Sequence, residues 1–268
     1  MKKGLLRSIL SLVVLFVVMS CSSVQALENY KIINSNGIKI SEVEYQNLLN
    51  LGFTENEILN MNEEEFENNH NLVGTIVSKK VSYLEDEGNN SFISTFGTQS
   101  GYISTASKTL TTTIISVSGR YRYKVTLEWK NMPSTRSYDI LAIGMDANVK
   151  LYVGPYFRQN FCYSANNCSS SSTRTEKISS TGLGVSFKLP NASVVSMSSY
   201  MYFDVVKNTS DTITQLKVYG DYSHAKKTIT ETKARQYTVN RAGIVLNSST
   251  SSYYDSIDTA ISIWTGSW

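Results

Sequence analysis

The sequence predicts a mainly β protein, an antiparallel β-sandwich or barrel, with a small N-terminal helical unit after a signal peptide. Three observations support this fold class. The first residues have the layout of an export signal, residues 41–70 carry helix-capping pairs, and from about residue 75 apolar side chains recur at every second position. We therefore divide the chain into a signal peptide (1–26), an acidic helical unit (27–72) and an antiparallel β-domain (73–268).

The leader starts with basic residues and continues with an apolar run over 9–19, which is too short to span a membrane comfortably. Val24-Gln25-Ala26 places suitable residues where signal peptidase acts, so we expect cleavage between Ala26 and Leu27. On this interpretation the mature protein is secreted into the extracellular space. A leader retained as a transmembrane anchor is the alternative that the run length disfavours.

A lipid anchor is a second alternative. Val18-Met19-Ser20-Cys21 resembles a bacterial lipobox, in which Cys21 becomes the lipidated N-terminus. Met19 is a poor residue for that motif, so the sequence favours release. A lipidated Cys21 would instead hold the protein on the outer face of the cytoplasmic membrane.

Charge is distributed unevenly along the chain. Residues 27–70 contain nine acidic residues and two Lys, a net charge of −7, whereas residues 71–268 contain twenty basic and thirteen acidic residues, a net charge of +7. Without the basic leader the chain is formally neutral, which excludes a strong electrostatic case for a nucleic-acid partner. The division predicts that the acidic unit docks on the β-domain. Because exposed charges are screened, we expect the docked unit to be stabilised mainly by the burial of apolar residues. These residues are Leu48, Leu51, Phe53 and Ile58.

Two cysteines remain after the leader, Cys162 and Cys168, and a short polar segment separates them. An exported chain reaches an oxidising environment, where two such cysteines form a disulfide. Phe157, Phe161 and Tyr163 share one phase, so we expect a strand to run into Cys162.

The helical unit is predicted from three pairs with the spacing of a helix N-cap and its third residue. These pairs are Ser41 with Glu44, Thr54 with Glu57, and Asn62 with Glu65. Gly52 is expected to end the first helix in a left-handed conformation. Such a unit is too small to be stable alone, so it should lean on the rest of the chain.

The clearest predicted strand runs from Tyr121 to Trp129, where aromatic and aliphatic residues alternate with charged ones, so we expect one buried and one exposed face. The same period appears over 183–189 and 216–223. Further strands are expected near 74–84, 109–117, 137–145, 149–158, 198–206, 227–231 and 235–246. The polar stretch 168–180 is predicted to be a long loop. Frequent strands without helical spacers indicate antiparallel pairing.

Several segments together resemble a family of uncharacterised secreted proteins from low-GC Gram-positive bacteria. The segments are Leu48 to Thr54, Thr126 to Pro133 leading into Arg136 to Asp139, Gly184 to Phe187, and Tyr222 to Ala225. The resemblance spans most of the mature chain. It implies an exported two-part protein, and no activity comes with it.

No catalytic, cofactor-binding or metal-binding residues are predicted. Two His leave little room for a His-built metal site, and no nucleophile elbow, phosphate loop, zinc pattern or calcium loop is present. His224 continues the inward phase of its strand and could pair with Asp221 or Asp204, although a bond to a backbone carbonyl is the simpler interpretation. His70 is expected to be a solvated linker residue.

Three tyrosines are the better candidates for ligand binding. Tyr152 and Tyr156 share one side of a predicted strand, and Tyr219 points outward from another. Cross-strand packing, or cover by the acidic unit, is the ordinary alternative.

Three functional hypotheses follow. The first is an exported non-enzymatic β-sandwich that acts as a surface or extracellular binding module for a protein or glycan partner. The second is a membrane-active or pore-forming protein, suggested by runs of Ser and Thr alternating with apolar residues over 109–118 and 194–202. The third is an unrecognised hydrolase. The sequence favours the first hypothesis.

Overall fold

Two antiparallel sheets pack face to face, and each carries a further layer on its outer face. The computed structural model describes residues 30–84, 107–165, 167–191 and 193–268. The predicted signal peptide, its Ala26–Leu27 cleavage site and Cys21 lie outside these residues. Of the architectures expected from the sequence, the sandwich is the one observed.

The first sheet has six strands in the order β3-β4-β5-β11-β7-β8. Its strands are β3 (Gly74–Leu84), β4 (Lys108–Val117), β5 (Arg120–Trp129), β7 (Val149–Ser164), β8 (Asn167–Ser171) and β11 (Ser196–Lys207). The second sheet has five strands in the order β15-β12-β6-β10-β9. These strands are β6 (Tyr138–Gly144), β9 (Thr175–Ser179), β10 (Gly182–Lys188), β12 (Gln215–Ser223) and β15 (Asp258–Thr265).

The core lies between the two sheets. Every second residue of β5, including Tyr123, Val125 and Leu127, is buried there and packs with the inward residues of the facing sheet, such as Leu141 and Val185. The sheets approach closely at Gly220 on β12. A Cβ atom at that position would collide with the Thr112 hydroxyl of β4, so the absence of a side chain sets the spacing there.

The N-terminal unit lies on the outer face of the six-stranded sheet. It consists of a hairpin, β1 (Tyr30–Ile33) with β2 (Lys39–Ser41), followed by α1 (Glu42–Asn50), α2 (Glu55–Leu59) and α3 (Glu63–Glu67). The side-chain oxygens of Ser41, Thr54 and Asn62 each accept a hydrogen bond from the backbone N–H of the third helical residue, as the capping pairs predicted. Gly52 has a φ of 78°, which is the left-handed conformation expected at the end of the first helix.

An apolar cluster holds this unit in place. Leu48, Leu51, Phe53 and Ile58 are buried together with Ile115, Val117, Tyr200 and Tyr202 of the sheet. The unit therefore covers the face of β5 that the alternation predicted to be exposed. That expectation is wrong because Arg122, Lys124 and Thr126 are buried as well.

The C-terminal residues form a matching layer on the five-stranded sheet. This layer contains α4 (Glu231–Ala234), the hairpin β13 (Tyr237–Asn240) with β14 (Gly243–Leu246), and a 3-10 turn at Ser251–Tyr253. It packs on Ile140 and Ala142 of β6. The hairpin comes so near β10 that a Cβ atom at Gly184 would lie 2.8 Å from Val239.

Several elements differ from the sequence prediction. The stretch 168–180 forms most of β8 and all of β9 instead of a loop, and β7 extends to Ser164. No strand forms over 227–231, where Thr230 caps α4. The strands β1, β2 and β15 were not predicted. No helix among the described residues is long and apolar enough to cross a membrane.

Candidate functional site

A cleft opens on one side of the sandwich, where the two sheets separate. On the opposite side the edge strands β3 and β15 are in contact, and the hydroxyls of Ser78 and Ser262 lie 2.7 Å apart. On the open side the edge strands are β8 and β9, and a cleft of about 390 Å³ lies beside the segment that joins them. This volume is within the range of about 300–1,000 Å³ that is common for small-ligand sites.

The cleft has an apolar base and a polar rim. Phe161 of β7 and Phe187 and Leu189 of β10 and its following turn supply the apolar surface. Neutral hydrogen-bonding side chains surround it, and charged residues are few. The described residues that line the cleft are Tyr138, Gln159, Phe161, Ser171, Thr173, Arg174, Thr175, Ser186, Phe187, Lys188, Leu189, Pro190, Asn191 and Glu231.

Two buried polar side chains in this lining lack good hydrogen-bond partners among the described residues. Ser186 is 2% exposed, and its hydroxyl has no hydrogen-bond partner among the described residues. Gln159 is 3% exposed, and its amide donates to the Met197 sulfur at 3.7 Å, which is a weak acceptor. A buried hydroxyl without a partner costs about 1–3 kcal/mol, so these groups are suited to bonds from a ligand.

Among the described residues that line the cleft, one cation is available to a ligand. The Arg174 guanidinium is 2.6 Å from the Glu176 carboxylate and donates to the Pro155 carbonyl at 3.2 Å. Glu231 is engaged by Arg235, and this hydrogen bond holds the pKa of its carboxyl below the ordinary value. Lys188 is exposed and has no carboxylate partner within the described ranges. The site is therefore set up for a ligand with a negative group.

A smaller cleft of about 180 Å³ lies on the other side of Arg174, which lines both. Its walls include Tyr156 and Arg158 of β7 and Glu64 and Glu65 of α3. The Arg158 Nε donates to Glu65 at 3.0 Å, and the Tyr200 hydroxyl donates to the same oxygen at 2.9 Å. Burial raises the pKa of Glu65 above its ordinary value, although Arg158 opposes this.

The disulfide between Cys162 and Cys168 is confirmed. The two residues face each other in the β7–β8 pairing, so the bond ties the edge strand β8 to its neighbour. Because β8 leads through Ser171 into the wall of the larger cleft, the bond also holds that wall.

The three predicted binding tyrosines do not form one surface. Tyr152 is 58% exposed on β7, with the Arg120 guanidinium 5.5 Å from its ring. Tyr156 stacks on Tyr202 at 5.0 Å beside the N-terminal unit and lines the smaller cleft. Tyr219 lies in the other sheet, on β12, with the Lys217 ammonium 4.9 Å from its ring.

Sequence reasoning missed the larger cleft because its walls come from segments distant in the chain. One wall is the Ser/Thr-rich stretch that was predicted to be a loop. The inward phase of Phe157 and Phe161 was visible in the sequence, but nothing in it shows that Phe161 meets Phe187 and Leu189 at the sandwich edge.

His224 pairs with a carboxylate that was not expected. Its Nδ1 lies 3.0 Å from both oxygens of Asp139, which is fully buried and also accepts from the Tyr222 hydroxyl. Asp221 instead accepts from the Ile244 N–H, and Asp204 pairs with arginines. Burial alone lowers the pKa of His224, but Asp139 outweighs it, so the pKa lies above the ordinary value.

His70 is not a solvated linker residue, which corrects the sequence prediction. Its Nδ1 is 2.9 Å from Glu44, and its ring stacks on Phe66 at 4.5 Å, so it fastens α3 to α1. Neither histidine lines the two clefts described above. In the part of the chain that the structure describes, no three His, Cys, Asp or Glu side chains gather as they would around a metal ion.

The segments that suggested a membrane-active protein lie in the middle of the fold. Residues 109–117 belong to β4 and residues 196–202 to β11, both inside the six-stranded sheet, and most of their side chains are buried.

No protein-family model and no curated protein matches the chain. Among solved structures, the chain is similar to the collagen-binding domain of a Staphylococcus aureus adhesin, with a TM-score of 0.26, 12% identity, and coverage of 41% of this chain and 81% of that domain. It is also similar to a Streptococcus parasanguinis structure concerned with pH-induced modulation of adhesion by Fap1 fimbriae, with a TM-score of 0.33, 10% identity, and coverage of 72% and 96%. Similarity at this level is too distant to carry a functional argument.

Proposed function

We propose that this protein is an exported binding module whose larger cleft takes a carboxylate-bearing saccharide. The observation that carries the proposal is the cleft itself, which combines an apolar base, a buried hydroxyl without a partner at Ser186 and an available ammonium at Lys188. The leader and the disulfide support export, with a partner met at the cell surface or in the medium.

The chemistry of the lining favours a saccharide over an acidic peptide. Six neutral side chains with hydroxyl or amide groups surround the base, which suits a ligand rich in hydroxyls; they are Gln159, Ser171, Thr173, Thr175, Ser186 and Asn191. The rings of Tyr138 and Phe161 offer apolar surface for the C–H face of a sugar. The Lys188 ammonium then pairs with the carboxylate of the ligand.

Calorimetric titration with matched ligands tests this proposal. Trigalacturonic acid and trigalactose differ in their carboxylates, and triglutamate carries carboxylates on a peptide. We expect trigalacturonic acid to bind, and trigalactose to bind roughly tenfold more weakly, because about 1.4 kcal/mol is lost without the charge pair. Binding of triglutamate alone, or of none of the three, would contradict the saccharide assignment.

Two variants and a control locate the interaction. Lys188→Gln should reduce the affinity for trigalacturonic acid to that for trigalactose, whereas Lys150→Gln should leave it unchanged, since Lys150 is an exposed lysine of β7 outside the cleft. Ser186→Ala should weaken both saccharides without lowering stability, because the hydroxyl has no partner to lose among the described residues.

A further inference from the structure

A lysine and two aspartates meet between the two sheets at one end of the sandwich. Lys108, the first residue of β4, is 2% exposed and faces inward. Its Nζ lies 2.8 Å from an oxygen of Asp258, the first residue of β15, and 3.5 Å from an oxygen of Asp255. The three side chains thus connect a strand of one sheet with a strand of the other.

Aromatic rings enclose the lysine. Its ammonium lies 5.2 Å from the ring centroids of both Trp129 and Tyr222, which belong to the main core cluster. These rings limit the access of water to Nζ. In such a site an ammonium and a carboxylate are poorly solvated, so the neutral amine and the neutral acid become accessible forms.

The second aspartate is placed to move protons. Asp255 accepts from the backbone N–H of His224 at 2.7 Å, which holds its carboxyl beside Lys108. Burial raises the pKa of Asp255 to about 6, and Lys108 opposes that shift. A carboxyl with this pKa both accepts and donates a proton near neutral pH.

We propose that Lys108 and Asp258 form an intramolecular isopeptide bond, with Asp255 as the proton carrier. One proton first passes from the Lys108 ammonium to the Asp258 carboxylate, which leaves a neutral amine beside a neutral acid. The neutral Nζ then attacks Cγ of Asp258, an N–C bond forms, and the bond from Cγ to the protonated oxygen breaks. Asp255 accepts a proton from Nζ and delivers it to the departing oxygen, which leaves as water. The ammonium–carboxylate pair is thereby converted into a neutral amide and one water molecule, and no oxidant or co-reactant is required.

The arrangement favours this condensation in two ways. Reacting groups held at contact distance have effective concentrations of about 10⁵ M or more. The product also removes two charges from a site with little water, where each charge is costly to hold. The new bond would join β4 to β15 and so lock the two sheets together, which suits a protein that keeps its shape outside the cell.

The other buried lysine–carboxylate pair provides an internal contrast. Lys124 lies 2.8 and 2.7 Å from the two oxygens of Glu57. Those oxygens also accept from the Thr54 N–H and the Thr126 hydroxyl, which stabilise the carboxylate as an anion. No second carboxylate within 4 Å of Lys124 is found among the described residues. We therefore expect this pair to remain ionic.

Intact-mass spectrometry of the reduced mature protein tests the proposal. The expected mass is that of the chain minus one water molecule, and tandem spectra of a digest should contain the Lys108 and Asp258 peptides joined. The full mass with no joined peptide would overturn the proposal. Loss of two water molecules would mean that a second amide has formed, against the expectation that Lys124 and Glu57 remain an ion pair. A bond from Lys108 to Asp255 would overturn the roles assigned to the two aspartates.

The intact masses of two variants separate the role of the Lys108 amine from that of the Asp255 carboxyl. Lys108→Arg keeps the charge but lacks the nucleophilic amine, so it should show the full mass. Asp255→Asn keeps both bonding residues and should also show mainly the full mass. Complete bond formation in Asp255→Asn would overturn the role of Asp255. The digest of the wild-type protein decides the existence of the bond even if a variant fails to fold.

Discussion

The Lys124 ammonium is completely enclosed between the N-terminal unit and the sheet, and it contacts both oxygens of the Glu57 carboxylate at 2.8 and 2.7 Å. Glu57 is on α2 and Lys124 is on β5, so this pair crosses the interface. Phe53 and Tyr200 place their rings 5.4 and 5.0 Å from the ammonium. Docking of the acidic unit thus combines apolar burial with a fully desolvated ion pair, in contrast to the exposed, screened charges expected from the sequence.

Removing one member of this pair should be costly. Glu57→Gln leaves the Lys124 charge buried against a neutral group, and we expect a loss of about 3–5 kcal/mol in the free energy of unfolding. Urea denaturation measures it. Glu63→Gln is the control, because Glu63 is also acidic and in a first helical turn but is exposed. A loss below about 1 kcal/mol for Glu57→Gln would show that the ion pair does not hold the interface.

The double variant Glu57→Gln with Lys124→Met should recover much of that loss. An apolar side chain of similar length removes the uncompensated charge while keeping the packing against Phe53. Equal stability of the single and double variants would mean that lost packing, and not the charge, accounts for the effect.

The contribution of Asp221 to stability should fall as the pH rises from about 4 to 6. Burial raises the pKa of Asp221 from 3.8 to about 6, and the Ile244 N–H opposes this shift. The folded state therefore holds a proton that the unfolded state has released, so this contribution is full below pH 3.8 and is lost as the pH passes 6. A shift of about two units corresponds to roughly 3 kcal/mol.

Asp221→Asn removes this contribution while keeping an acceptor for the Ile244 N–H. The decrease in unfolding free energy between pH 4 and pH 7 should be smaller in this variant than in the wild-type protein. Asp211→Asn, at an exposed position, should behave like the wild type. If the unfolding free energies of Asp221→Asn and the wild type changed in parallel with pH, the raised pKa would not belong to Asp221.

The disulfide should stabilise the fold only modestly. It closes a loop with a sequence separation of 6, and so short a loop contributes about 2 kcal/mol. Replacing Cys162 and Cys168 with Ser should lower the Tm by roughly 4–8 °C in a scanning calorimeter. In this variant the fall in ligand affinity should be more noticeable than the fall in stability, because β8 leads into the wall of the larger cleft. Loss of folding would show that the bond supports the core as well.

The sequence was a good guide wherever local pattern decides structure. The alternation over Tyr121 to Trp129 predicted β5, and the capping pairs predicted all three N-terminal helices. The pattern could not show that Lys124 is buried, because its cover comes from Glu57, 67 residues earlier. A capping glutamate that also neutralises a buried lysine looks in sequence like any other capping glutamate.

The edge strands and the site were harder to predict. The β8 and β9 strands are short and consist largely of polar residues with partly exposed faces, so they lack the apolar alternation that marks a central strand. Their pairing is fixed by neighbours, namely by β7 with its disulfide and by β10. The partner of His224 is likewise 85 residues away. The cleft exists only where these distant segments meet.

Amide chemical-shift mapping tests the binding site most directly. ¹⁵N-labelled mature protein is titrated with trigalacturonic acid, and the resonances of the whole chain are followed. We expect shifts concentrated at Gln159, Arg174, Ser186 and Lys188, with little change at Tyr152 or Tyr219. Shifts confined to the surface around Tyr152 or Tyr219, or no saturable shifts at any concentration of the ligand, would contradict it.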